Sequence, residues 1–213
     1  RAIAAFFNIA TVEDMTAALD AITASGITFD EAYARLQKGR TYSNEVPTGV
    51  VLESRRDAGR FFYYSLDVPP DYDPNRRYPV RIQLHGGVGA RAFAGRRGTG
   101  AIGPLAGDEP QIYILPNAWS RAPWWSEDQL ANLRVILALA KRSYNIDENR
   151  VTVSGVSDGG SGAFYIAMRD TTPYASFLPL IGSMMVLGNP DDGLADLYPN
   201  NLRAKPFFIV NGG

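Results

Sequence analysis

Residues 150–162 read RVTVSGVSDGGSG. The run opens as a strand, RVTVSG, and continues as a helix, GGSGAFYIAMRD, with a serine at the corner. Gly155-Val156-Ser157-Asp158-Gly159 fits the pattern G-x-S-x-G between a strand and a helix. A turn that tight forces its central residue into a strained backbone conformation. Glycines on either side remove the side chains that would clash across the bend. The serine hydroxyl then projects past the end of the strand. The helix start beneath it favours the negative charge that develops in acyl transfer. This makes Ser157 the candidate nucleophile; the other reading of the same letters is a plain glycine-rich turn.

A second stretch supplies the complementary half of such a site. VRIQLHGG (residues 80–87) is a strand that ends in glycines. Acyl transfer builds an oxyanion, which preorganised backbone N–H groups stabilise by ~3 kcal/mol for a single donor. Asp158, the residue after the serine, is one candidate donor, and Gly87 at the strand exit is the other, because glycine lets backbone approach a carbonyl closely.

The surrounding chain alternates strand and helix. QIYILPNA (111–118), SFLPLIGSMM (176–185) and PFFIVNGG (206–213) read as buried strands. SEDQLANLRVILALAKRSYN (126–145) reads as a helix with a Ser126–Gln129 capping box and an apolar face of Leu130, Leu133, Leu137 and Ala140. Upstream, VVLESR and RFFYYSLDV flank RDAG as a hairpin, followed by a polar, proline-rich loop. Seven strands result. The class is α/β: a mostly parallel sheet with helices on both faces.

The first 45 residues read differently, as a helical pair, with the core domain over 46–213. Thr11 caps a helix carrying Val12, Met15, Leu19 and Ile22 at helical spacing and stopped by Gly26. Thr28 and Glu31 form a capping box for a second helix, stopped by Gly39. The pair either packs on the core domain or serves as a lid over the site.

Composition excludes several chemistries. The 213 residues carry a net charge of −1, so nothing points to nucleic acid or an anionic membrane surface. There is no cysteine and a single histidine, His85, which argues against disulfides, thiolate chemistry and a zinc site. No apolar run is long enough to span a membrane. No cofactor or metal is required by the proposed chemistry.

The segments YPVRIQLHGG, YILPNAWSRAPWW and NRVTVSGVSDGGSGAFYIA occur here in the order, and at separations, similar to the α/β-hydrolase fold family. Within that family the chain resembles bacterial esterases of the carboxylesterase, phospholipase and polyester-depolymerase type. The resemblance covers roughly residues 50–213. It implies Ser157 as nucleophile with Gly87 and Asp158 as oxyanion donors. It also implies a triad acid after the seventh strand and a histidine after the eighth, both beyond Gly213. His85 belongs to the HGG loop, where the resemblance gives it a supporting role. The expectation is therefore that histidine and acid come from outside this chain. A C-terminal segment or a complementing chain would supply them, together with the final strand and helix. Asp191 and Asp192 in GNPDDG offer an alternative acid, with a turn as the plainer reading.

Three further features carry weaker signals. Trp119, Trp124 and Trp125 share one loop after the fourth strand. Trp124 and Trp125 are candidates for a substrate wall, against packing toward the N-terminal helices. Arg91, Arg96 and Arg97 either hold an anionic substrate group or face solvent. Gly98 to Gly103 and Gly87 to Ala92 spell dinucleotide-type glycine motifs; the first has no strand before it and runs into Pro104, and the second follows a strand but lacks a good helix and a placed acid. The function expected from the sequence is hydrolysis of a small or polymeric carboxylic ester through an acyl-enzyme on Ser157. A peptidase or thioesterase, or a non-catalytic binding module, are the alternatives.

Overall fold

The computed structural model describes residues 2–7, 9, 12–88, 109–184 and 197–212. Six strands form one sheet: β1 (Gly49–Asp57), β2 (Arg60–Val68), β3 (Tyr78–Leu84), β4 (Ile112–Pro116), β5 (Ile146–Val156) and β6 (Ser176–Leu180). Their order is β1-β2-β4-β3-β5-β6. β1, β2 and β4 pair antiparallel, and β4, β3, β5 and β6 pair parallel. The RDAG hairpin forms as read. Ala58 and Gly59 take φ of 45° and 81°, the left-handed pair of a two-residue turn whose twist suits the flanking strands.

Parity along the strands divides the sheet into two chemically distinct faces. Val80, Ile82, Leu84, Ile112, Ile114, Val151 and Val153 are buried on one face. Helices α4 (Glu127–Ser143) and α5 (Asp158–Arg169) cover that face side by side. Arg134 of α4 holds Asp170, at the end of α5, through two bonds of 2.7 and 2.8 Å. The expectation of helices on both faces is thus realised on one face by the described helices of the core. The other face carries Arg81, Gln83 and Ser154, which are buried and polar. They satisfy one another: Arg81 Nε donates to Ser154 Oγ at 2.8 Å, and Ser154 Oγ donates to Gln83.

The seventh strand forms in reduced form. Phe208 N–H donates to Phe177 O (3.1 Å) and Val210 N–H to Pro179 O (3.2 Å), parallel to β6, but as isolated bridges. Phe207 turns inward and stacks on Phe177 at 5.2 Å. The expectation that this strand is buried is corrected: Phe208, Ile209 and Val210 are 66%, 51% and 43% exposed. No further element among the described residues packs outside them.

Of the N-terminal helices, α2 (Val12–Ala24) and α3 (Phe29–Lys38) form at the expected places, and a short α1 (Ala2–Phe6) precedes them. Thr28 and Glu31 close the capping box, with bonds of 3.3 and 3.2 Å. The large apolar side chains described on α2 and α3 are not buried, however. Met15, Leu19, Phe29 and Tyr33 are exposed, and α3 buries no residue. Helical periodicity correctly marked the helices but not a core. The segment is tied down by Arg40 Nη1 and Tyr42 OH, which donate to Lys141 O at 2.9 and 3.2 Å. Lys141 lies in the last turn of α4, which leads into the start of β5; Ser157 follows the other end of that strand. No helix among the described residues is long and apolar enough to cross a membrane.

The packing of α5 makes a testable demand. A Cβ on Gly162 would stand 2.4 Å from Trp124 Cβ and 2.9 Å from its Cγ. Trp124 is fully buried and has no room to move. Gly162→Ala is expected to cost about 1–3 kcal/mol, lowering the urea midpoint with an unchanged slope. An unchanged midpoint would mean that helix and indole do not meet.

Candidate active site

Ser157 alone joins β5 to α5. Its backbone sits at φ 57°, ψ −119°, a conformation that costs a non-glycine residue about 1–3 kcal/mol. Backbone contacts on both sides hold it there. Ser157 N–H donates to Leu180 O of β6 at 3.0 Å, and Ser157 O accepts from Ser161 N–H at 3.0 Å. The flanking glycines are required by close approach rather than by φ. A Cβ on Gly155 would stand 2.2 Å from Gly159 O, and one on Gly159 would stand 2.2 Å from Leu84 O. A Cβ on Gly160 would stand 2.7 Å from Leu180 O. The turn is thus pressed between the ends of β3 and β6. The Ser157 side chain makes no capping bond, and the residue is exposed.

The HGG loop leaves β3 directly beside this corner. A Cβ on Gly86 would stand 3.0 Å from Val156 O and 3.1 Å from Ser157 Cβ. Gly87 takes φ +63°, the left-handed conformation that favours glycine. The two glycines therefore answer different demands: Gly86 permits contact with Ser157, and Gly87 permits the turn away. Asp158 Oδ2 then accepts from Val88 N–H at 2.8 Å, fastening the loop to the elbow. Asp158 N–H lies in the first turn of α5, where no carbonyl of the helix can accept it.

His85 is committed to supporting this loop. Its Nε2 accepts from Ala118 N–H at 3.0 Å, so that nitrogen carries no proton. The proton is on Nδ1, which donates to Gly86 O at 2.9 Å. Neither nitrogen is left to take a proton from Ser157. Trp124 Nε1 donates to His85 O at 2.8 Å, and the two rings meet edge-to-face at 5.0 Å.

The tryptophan loop is accordingly reassigned in part. Trp124, a candidate substrate wall, has no exposed surface; it is a buried support under the HGG loop. Trp125 is half-buried and packs against the core. Trp119 packs on Phe62 of β2 at 5.4 Å, not on the N-terminal helices. The Ser126–Gln129 capping box forms only by half. Ser126 Oγ accepts from Gln129 N–H, but the Gln129 amide donates to Asn117 O and Ala122 O, both at 3.0 Å. That amide thus secures the loop carrying the tryptophans. Asp191, Asp192, Arg91, Arg96, Arg97 and the Gly98–Gly103 motif lie outside the described residues, as does Ala92, the end of the second glycine motif.

No family model matches the sequence. Prolyl endopeptidase FAP of Mus musculus is 26% identical over 126 residues, which is 52% of this chain and 16% of that protein. Among solved structures, a thermostable esterase superposes with TM-score 0.58 at 24% identity, over 75% of this chain and 45% of its own. The feruloyl esterase module of Clostridium thermocellum, solved with sinapinate, superposes with TM-score 0.55 at 17% identity, over 77% of this chain and 66% of its own. The chain has the α/β-hydrolase fold. It spans less than half the length of that esterase and a small fraction of the prolyl endopeptidase.

Two contributors escaped the sequence reading. Gly86 was hidden because HGG does not say which glycine faces the serine. The Asp158 carboxylate was hidden because its residue was considered only for its N–H. The latch predicts a measurable difference. Asp158→Ala should speed hydrogen exchange at Val88 by about 10- to 100-fold, the loss of a bond to a charged acceptor. Asp158→Asn, which keeps an acceptor oxygen, should lose less. Equal rates in all three proteins would show that the carboxylate does not hold the loop.

Proposed function

We propose that the chain is the nucleophile-bearing part of a serine hydrolase that cleaves carboxylic esters. The observation that carries this reading is Ser157, exposed at φ 57° on a strand-to-helix corner with Gly86 against it. Ser157 Oγ attacks the ester carbonyl and forms the acyl-enzyme. The developing oxyanion is held by the N–H groups of Asp158 and Gly87. The serine proton passes to a histidine and leaves with the alcohol; water then releases the acid and restores Ser157. That histidine and its acid partner come from a C-terminal segment or complementing chain. The commitment of His85 to Ala118 and Gly86 supports this. Such a segment would also cover the apolar edge of Phe208, Ile209 and Val210. Trp125 is the remaining candidate for the pocket wall. No cofactor takes part.

A peptidase on the same machinery is the second reading, favoured by the likeness to a prolyl endopeptidase. Turnover of p-nitrophenyl butyrate against a prolyl-peptide anilide separates the two.

A fluorophosphonate probe tests the nucleophile. Protein from its native source should label on Ser157 and lose labelling in Ser157→Ala. The 213-residue chain alone should label more slowly by ~10⁶-fold, the cost of a missing base. Labelling that persists in Ser157→Ala would overturn the assignment. An active source protein whose intact mass equals these 213 residues would overturn the outside supply of the base.

A further inference from the structure

Three non-glycine residues among those described take positive φ: Ala58, Ser157 and Ile181. Ala58 belongs to the hairpin turn and Ser157 to the elbow. Ile181, at φ 52°, directly follows β6. A β-branched side chain is a true outlier in this region, because its two branches crowd the backbone. Folding gives no reason for isoleucine there. The residue is 62% exposed, and glycine or asparagine adopts the same conformation at lower cost.

The neighbours over-determine this backbone. Leu180 O accepts from Ser157 N–H at 3.0 Å, and Ile181 N–H donates to Val210 O at 2.6 Å. Ser183 N–H donates to Ser161 Oγ at 3.0 Å. Gly182 lies on α5, where a Cβ would stand 2.5 Å from Gly160 C. Phe177 and Pro179 share a face with Val153 and Gly155, their partners on β5, and α5 covers that face. Strand parity would send residue 181 there as well. The positive φ turns it out to solvent instead. Strain held in this way gathers at substrate sites.

Ile181 turns out beside the candidate nucleophile. β5 lies between β3 and β6, so Ser157 has the HGG loop on one side and Ile181 on the other. The bond from Ser157 N–H to Leu180 O leaves the Cα atoms of Ser157 and Ile181 at most ~8 Å apart. Both residues are exposed. An ester carbonyl whose oxygen meets Gly87 N–H, on the β3 side, turns its substituents away from β3. The acyl substituent stays on Ser157 through both steps, while the alcohol leaves. A side chain tied to the Ser157 backbone through one peptide group keeps its distance to that acyl group. We infer that Ile181 is the apolar wall for the acyl chain, and that the substrates are esters of medium-length aliphatic acids. This rests on the hydrolase reading above.

The test compares p-nitrophenyl octanoate with p-nitrophenyl acetate, on the protein as it occurs in its native source and on variants of it. Ile181→Gly should lower the octanoate-to-acetate ratio of kcat/KM by about tenfold, the worth of one or two buried methylenes. It should also raise the melting temperature by about 2–4 °C, because strain is relieved and little burial is lost. Ile181→Asn, which also tolerates positive φ, should lower the ratio to the same extent. Acetates of different alcohols should keep their order of reactivity in both variants. A ratio that stays unchanged in the variants, or a change that follows the alcohol instead, would overturn the proposal. So would a fall in melting temperature with the ratio intact, which would place Ile181 in the packing of another segment. Fluorophosphonate labelling separates this inference from the reading it rests on. A parent that labels on Ser157, with variants of unchanged ratio, refutes the role of Ile181 alone. A parent that does not label refutes the hydrolase reading, and this inference with it.

Discussion

The structure turns on one backbone contact: Gly159, at the start of α5, lies directly on the carbonyl of Leu84 at the end of β3. Nothing larger than hydrogen fits there, since a Cβ would stand 2.2 Å from Leu84 O. The contact fixes where α5 begins relative to the central strands. With β5 ending at Val156, one residue must complete the connection, and Ser157 is forced to positive φ. The same contact brings the exit of β3 alongside the serine, so the HGG loop has nowhere to go but past it. The candidate nucleophile and the candidate oxyanion loop are neighbours because two pieces of backbone touch.

Around that contact, polar side chains act as fasteners. Asp158 holds Val88, His85 holds Ala118 and Gly86, Trp124 holds His85, and Gln129 holds Asn117 and Ala122. The first three tie the loop at the end of β3 to α5, to itself and to the loop after β4, and Gln129 ties α4 to that second loop. Such a network fixes the backbone N–H groups of the candidate oxyanion loop in place. It also engages both ring nitrogens of the single histidine of the chain.

Much of this was legible in the sequence because it is written in local spacing. G-x-S-x-G between a strand and a helix located the corner, and HGG after a buried strand located the loop. Capping residues and the RDAG turn marked element ends. What failed was burial at a distance. The apolar stripe of α2 and α3 and the apolar run 207–210 look like core by periodicity, yet Phe29 and Phe208 are among the most exposed large side chains. Periodicity reports that a face is apolar, not that a partner covers it. Trp124 failed for a related reason: a tryptophan beside a site can line it or support it, and only the hydrogen bond to His85 distinguishes the two.

The central claim is that packing, not the serine itself, imposes the corner on Ser157. An experimental structure of the chain carrying Ser157→Ala measures this most directly. The account predicts that alanine is held at the same positive φ, near 57°, with Gly159 still on the Leu84 carbonyl and Val88 N–H still on Asp158. Relaxation of residue 157 to negative φ with those contacts broken would contradict it.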